Sequence, residues 1–207
     1  MTIATIVIAP PDMRAMLALA HGAGAGMRHP FLEQFAQALA ALGVGTLRYE
    51  FPYMEAKKHR VDPPPVAAAR VREAVAEAAR VAPGAPLYAG GKSFGGRMTS
   101  TAQAVAPLEG VRGLVFVGFP LHPPGKPGIE RAAHLANVQL PMLFLQGTRD
   151  DFAQRELLEP VVSGLGARAT LVYIEGGDHS FKAKGRTASE VMAELAGCVA
   201  DWLKAES

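Results

Sequence analysis

The sequence holds one cysteine, Cys198, in 207 residues. An intramolecular disulfide is therefore impossible, which fits a reducing compartment, and the expected location is the cytoplasm. On the last predicted helix Cys198 reads as a small apolar residue in the core. Net charge is nearly absent, at +2, so neither nucleic acid nor an anionic membrane is an expected partner. Six histidines and one cysteine show no metal-ligand spacing, and no metal site is expected. No apolar run approaches the roughly 20 residues of a membrane span. The first residues lack a basic segment, and Pro10-Pro11-Asp12 interrupts their apolar run, so no signal peptide is expected. There is no internal repeat, and no linker is long enough to separate domains. The expectation is a single domain over residues 1–207, with a sizeable core drawn from a composition that is 49% hydrophobic.

Apolar runs at Ile3 to Ile8, Met13 to Ala20, Thr46 to Phe51, Leu87 to Gly90, Val111 to Val117, Pro141 to Leu145 and Thr170 to Ile174 read as strands. Most are continuously apolar rather than alternating, as in strands covered on both faces. Helical stripes lie between them. Phe31, Leu32, Phe35, Leu39 and Leu42 form one, stopped by Gly43. Val66 to Ala82 forms another, after an irregular stretch from Pro52 to Pro65. A small-residue run from Met98 to Ala106, a short helix near Ile129 to Leu135 and a helix over Ala153 to Leu165 follow. The last helix opens on Thr187 and Glu190, a capping box, and buries Val191, Met192, Leu195, Val199 and Trp202. Alternating strands and helices predict an α/β fold: a mostly parallel sheet with helices on both faces. Ligands bind such sheets at the carboxyl ends of the strands.

The unusual residues fall at those ends. Gly91-Lys92-Ser93-Phe94-Gly95 follows a strand and precedes a helix, the setting in which G-x-S-x-G forms a nucleophile elbow. Glycines are needed there because a serine held clear of a strand end lies where strand and helix backbones crowd each other. Gly91-Lys92-Ser93 is not the tail of a P-loop, since Pro86 stands where that motif needs glycine. His21-Gly22-Ala23-Gly24-Ala25-Gly26 ends another strand, Asp150 and Asp151 a third, and His179 the last.

With these residues in place, the chain resembles the α/β-hydrolases over nearly its whole length, from Met13 to the final helix. Gly90-Gly91-Lys92-Ser93-Phe94-Gly95-Gly96-Arg97, with the glycine-rich turn upstream, is similar to a small cap-less subgroup akin to dienelactone hydrolases. The resemblance implies a single-domain, three-layer fold and a triad in the order Ser93, Asp150, His179. The acid of that family stands three residues after the strand-end glycine, which points to Asp150, with Asp151 as its rival. Ser93 is then the nucleophile and His179 its base, and Asp150 fixes the imidazole tautomer. Backbone N–H groups of Ala23 and Phe94 are the expected oxyanion hole. Gly22, Gly24, Tyr53 and Phe119 are expected to bind substrate, and Phe51, Met54 and Leu121 are further wall candidates. Lys92 either favours an anionic acyl group or serves as a structural donor. Lys57 to Arg60 reads as a solvated run.

The function expected is hydrolysis of a small acyl substrate, an ester or thioester, through an acyl-enzyme with no metal or organic cofactor. An acyltransferase or peptidase on the same triad, or a binding protein on a hydrolase fold, remains open. So does a dinucleotide-binding turn, for which Glu50 would be the ribose ligand. No long insertion separates the strands at Val111 and Pro141, so no large cap is expected.

Overall fold

A computed structural model describes residues 3–206; residues 1, 2 and 207 of the expected domain lie outside the described residues. Among the described residues, seven strands form one sheet: β1 (Thr5–Ile8), β2 (Ala15–Ala20), β3 (Val44–Tyr49), β4 (Leu87–Lys92), β5 (Val111–Val117), β6 (Met142–Gly147) and β7 (Ala169–Ile174). Their spatial order is β1-β3-β2-β4-β5-β6-β7. Of these strands β1 alone runs antiparallel, against β3. The other pairings are parallel. The registers Ala20↔Gly91, Lys92↔Val117 and Gly147↔Ile174 bring the carboxyl ends of five strands to one rim.

The helices are α1 (Pro30–Ala40), α2 (Pro52–Glu55), α3 (Pro64–Val81), α4 (Phe94–Val105), α5 (Arg155–Gly164) and α6 (Ala188–Ala205), with 3₁₀ segments at Glu130–Asn137 and Gly166–Arg168. One face of the sheet is covered by α3, α4 and α5, where Val71, Val75, Met98 and Leu158 are buried. The other is covered by α1 and α6, which pack on each other through Phe35, Leu39, Leu195 and Trp202. Each such side chain, fully buried, stabilises the fold by about 1.5–3 kcal/mol. This is why strands lacking polar alternation suit the centre of the sheet: both of their faces meet apolar cover.

Several boundaries differ from the sequence reading for local reasons. α3 starts at Pro64, because proline is tolerated in a first helical turn whose N–H groups lack partners. A short helix, α2, also opens on proline, inside the stretch expected to be irregular. α1 ends at Ala40, so Leu42 lies beyond it and is 36% exposed, while Gly43 turns the chain at φ +76°. The helix after the serine begins at Phe94, four residues before Met98. The 130–137 segment is 3₁₀ rather than α. The capping box of α6 forms in full: Thr187 Oγ1 accepts the Glu190 N–H, and Glu190 accepts the Thr187 N–H. Cys198 is half-buried against the α1–α6 layer. Among the described residues no helix is long and apolar enough to cross a membrane.

Candidate active site

The strand–turn–helix at Ser93 is tight. β4 ends at Lys92, and Ser93 takes φ 50°, ψ −116° immediately before α4. Left-handed φ is costly for a residue with a Cβ, by about 1–3 kcal/mol, and persists only where the surroundings enforce it. Here the Ser93 N–H is held by the Val117 carbonyl at 3.1 Å, and the Ser93 carbonyl accepts the Arg97 N–H at 3.1 Å. A Cβ on Gly91 would lie 2.5 Å from the Ala20 carbonyl oxygen, and one on Gly95 2.6 Å from that of His21. Both glycines let α4 and β4 close on β2 and present the serine at the rim.

His179 reaches Ser93 across 86 residues of sequence, with Nε2 2.8 Å from Oγ. Its Nδ1 lies 2.8 Å from Asp150 Oδ2 and 3.0 Å from Oδ1. An ionised carboxylate only accepts, so Nδ1 carries the proton and Nε2 is left to accept from the serine hydroxyl. Asp150 is 4% exposed and well satisfied: Oδ2 accepts Gln146 Nε2 at 2.5 Å and Oδ1 accepts the Phe152 N–H at 2.8 Å. Asp151 is exposed, and the imidazole pairs with its neighbour instead. The ring of Phe152 stacks on His179 at 4.0 Å and 24°.

The loop carrying His179 is pinned at several points. Asp178 points away from the imidazole and caps its own turn, with Oδ1 accepting the Ser180 and Lys182 N–H groups. Gly176 turns the chain at φ +69°, and the Arg149 N–H donates to the Gly177 carbonyl at 2.9 Å. Phe181, also at positive φ (61°), is 2% exposed and stacks on Phe31. Lys92 donates to the His179 carbonyl at 2.6 Å, its ammonium lying 5.3 Å from the Phe181 ring centroid and 5.9 Å from that of Phe31. Burial pushes the Lys92 ammonium down to about 8, partly offset by the nearby charges of Asp150 and Asp178.

The glycine-rich turn after β2 is held by charged and aromatic neighbours. His21 is fully buried, with Nδ1 2.8 Å from the Gly22 carbonyl, and its Nε2 meets the Phe51 N–H at 3.1 Å. Glu50 accepts the Met27 N–H at 3.0 Å and lies 3.1 Å from His21 Nε2. Its carboxylate thus braces the turn, which removes it as a ribose ligand. Gly22 and Ala23 line a cleft of about 290 Å³ together with Lys92, Ser93, Phe152 and His179. Neither the Ala23 nor the Phe94 N–H donates to a partner among the described residues; Phe94 is the first residue of α4, where helical N–H groups have none.

Three expected substrate contacts fall elsewhere. Gly24 turns away from the cleft at φ +71° and donates to the Tyr53 hydroxyl at 3.0 Å. Tyr53 is 1% exposed, packed edge-on against Phe94 behind that turn. Phe119 is equally buried, edge-on to Phe116 and Phe144 in the core. Phe51 and Leu121 are wholly buried too. Apolar packing continues past the strand ends here, so these residues support the rim without lining it. Arg97 faces a separate depression with Lys58 and Arg60, on the far side of the elbow. Lys57 to Arg60 are exposed, as expected.

The sequence reading missed Gln146, Phe152, His29, Phe31 and Ser180. Gln146 alone gave a signal, a polar side chain at the end of an apolar strand. A second Ser–His contact, Ser100 Oγ to His134 Nε2 at 2.7 Å, ties α4 to the 130–137 segment. Ser100 is fully buried and lies outside the cleft. It has the role of a fastening.

Several solved structures share the whole fold. A dienelactone hydrolase from Anabaena variabilis is 19% identical, with a TM-score of 0.76 over 97% of this chain and 90% of its own. Est1E from Butyrivibrio proteoclasticus, with ferulic acid bound, is 14% identical, with a TM-score of 0.77 over 98% and 96%. A serine hydrolase without lid from Xanthomonas campestris is 22% identical, with a TM-score of 0.73 over 96% and 88%. At these identities the likeness is one of fold. The family model described as an alpha/beta hydrolase domain matches residues 13–204, and the chain belongs to that family.

Proposed function

We propose that the protein is a serine hydrolase acting on small esters or thioesters, with Ser93 as nucleophile, His179 as general base and acid, and Asp150 as the acid that orients it. The observation that carries this reading is the unbroken relay of 2.8 Å contacts from Ser93 Oγ through His179 to Asp150. A serine hydroxyl is a poor nucleophile until a base takes its proton, and neutral imidazole is suited to that step. Asp150 keeps Nδ1 protonated and stabilises the imidazolium that forms. The oxyanion of the tetrahedral intermediate is received by the Ala23 and Phe94 N–H groups, the second reinforced by the positive end of α4. The fold neighbour named as a dienelactone hydrolase fits a carbonyl substrate of this kind. The half-buried lone thiol of Cys198 is in keeping with the cytoplasm. The substrate is a small acyl compound rather than a nucleic acid.

Turnover of p-nitrophenyl acetate tests the assignment. Ser93→Ala should lower kcat by about 10⁴-fold or more. A fluorophosphonate probe should label wild type at Ser93 and leave the variant unlabelled. A folded Ser93→Ala protein that kept wild-type turnover would remove Ser93 from the mechanism.

A further inference from the structure

Beside the Ser93 cleft lies a second pocket of about 380 Å³, formed by the start of α1, the loop after His179 and the first turns of α6. The two adjoin each other, since His29, Phe31 and Ser180 line both. The second pocket is apolar at its base. Phe181 and Val191 are each 2% exposed and Met192 is 7% exposed, and Phe31 stacks on Phe181 at 5.9 Å and 26°. Its two cationic side chains do not make it an anion site. Arg186 is paired with Glu194 at 2.5 Å, and Lys182 stands exposed at the mouth.

We propose that this pocket is a leaving-group subsite, which receives the apolar alcohol portion of an ester while its acyl carbon is at Ser93. The inference rests on the hydrolase reading above and adds the direction in which the substrate lies. Direction follows from proton transfer. The Ser93 Oγ–carbon bond forms as the serine proton passes to His179 Nε2. When the tetrahedral intermediate collapses, the carbon–OR bond breaks and the same proton moves from Nε2 to the departing oxygen, giving ROH. That oxygen must therefore lie beside Nε2, on the side of the cleft walled by the loop after His179. Ser180 and Phe181 carry that wall straight into the second pocket. Water then attacks the acyl-enzyme and releases the acid, with His179 as base again.

Selectivity by this pocket has a kinetic signature. The alcohol has left before deacylation, so every acetate ester passes through one acetyl-enzyme. The pocket then acts on kcat/KM, which reports acylation, and leaves a deacylation-limited kcat common to the series. In wild type, kcat/KM for hexyl or benzyl acetate should exceed that for methyl acetate by about tenfold or more. Methyl hexanoate, extended on the acyl side, should show no comparable gain over methyl acetate. Met192→Trp should fill the base of the pocket and lower the hexyl-to-methyl ratio by about tenfold. Ala188→Trp, at an exposed position on the same wall, should lower it too and reports even where the first variant fails to fold.

Turnover with a flat alcohol series, or a gain that follows the acyl chain, overturns the subsite and leaves the hydrolase reading standing. A ratio unchanged in folded variants does the same. No turnover of any ester, together with no fluorophosphonate labelling, overturns both.

Discussion

Lys92 stands one residue before Ser93 and grips the backbone of His179. A charged donor 2.6 Å from a carbonyl makes a strong hydrogen bond, and the rings of Phe31 and Phe181 close around the ammonium. One strand end thus fixes both partners of the Ser93–His179 contact, Ser93 through its backbone and His179 through this tether. Lys92→Met should lower kcat by about tenfold or more with a smaller change in KM, as expected for lost orientation rather than lost binding. The pH profile separates this role from packing. With the ammonium held near 8, wild-type activity should decline as pH rises through that value, and Lys92→Arg, if active, should lack that decline. Unfolding would not be the cause. The unfolded lysine keeps its proton to about 10.5, so between 8 and 10.5 the unfolded chain binds more protons and this group makes stability rise with pH. Melting curves at pH 7 and 9.5 beside the rate profile check both signs. That Ser93, Asp150 and His179 meet at one rim was legible because each follows a strand run. The partner of Lys92 was not, since 87 residues separate it from His179 and only the sheet order brings them together. Tyr53 and Phe119 failed for a related reason: a position just past a strand end looks the same in sequence whether packing turns it toward solvent or into the core.

Between elements, the Ser100–His134 fastening joins α4 to the 3₁₀ segment that lies in the β5–β6 connection. Burial, with the charge of Arg97 nearby, pushes His134 down to about 4. Both causes favour the neutral ring. The unfolded histidine takes its proton near 6.5, so the contribution is complete above that pH and is lost as pH falls toward 4. Chemical denaturation at pH 7 and pH 4.5 should show about 1–2 kcal/mol of this loss for wild type, allowing for the ring's partial exposure, and less for His134→Met. No sequence signal announced this contact, because serine and histidine are 34 residues apart on elements whose crossing depends on how α4 lies. Helices with a strong local grammar were clearer. The α6 capping box and the α1 stripe both needed only neighbouring residues. α2 and the start of α3 were missed because proline ends a helix or begins one, and composition alone does not say which.

At the scale of the molecule, the connection from β5 to β6, residues 118–141, contains one 3₁₀ segment and nothing large enough to cover the cleft. The sequence foretold this by length alone. With no lid to displace, activity should follow a simple hyperbola as a sparingly soluble ester is raised through its solubility limit. A jump in rate at the appearance of droplets would mean that some segment closes over Ser93 after all. The sheet also carries a load at its own centre. The positive φ of Ser93 is maintained by β4, β5 and α4 together, and glycine alone would adopt it without strain. Ser93→Gly should therefore melt a few degrees above Ser93→Ala, since about 1 kcal/mol corresponds to 2–4 °C in a chain of this size. Calorimetry on the two variants would then weigh how much heat resistance this molecule forgoes in order to hold one hydroxyl in place.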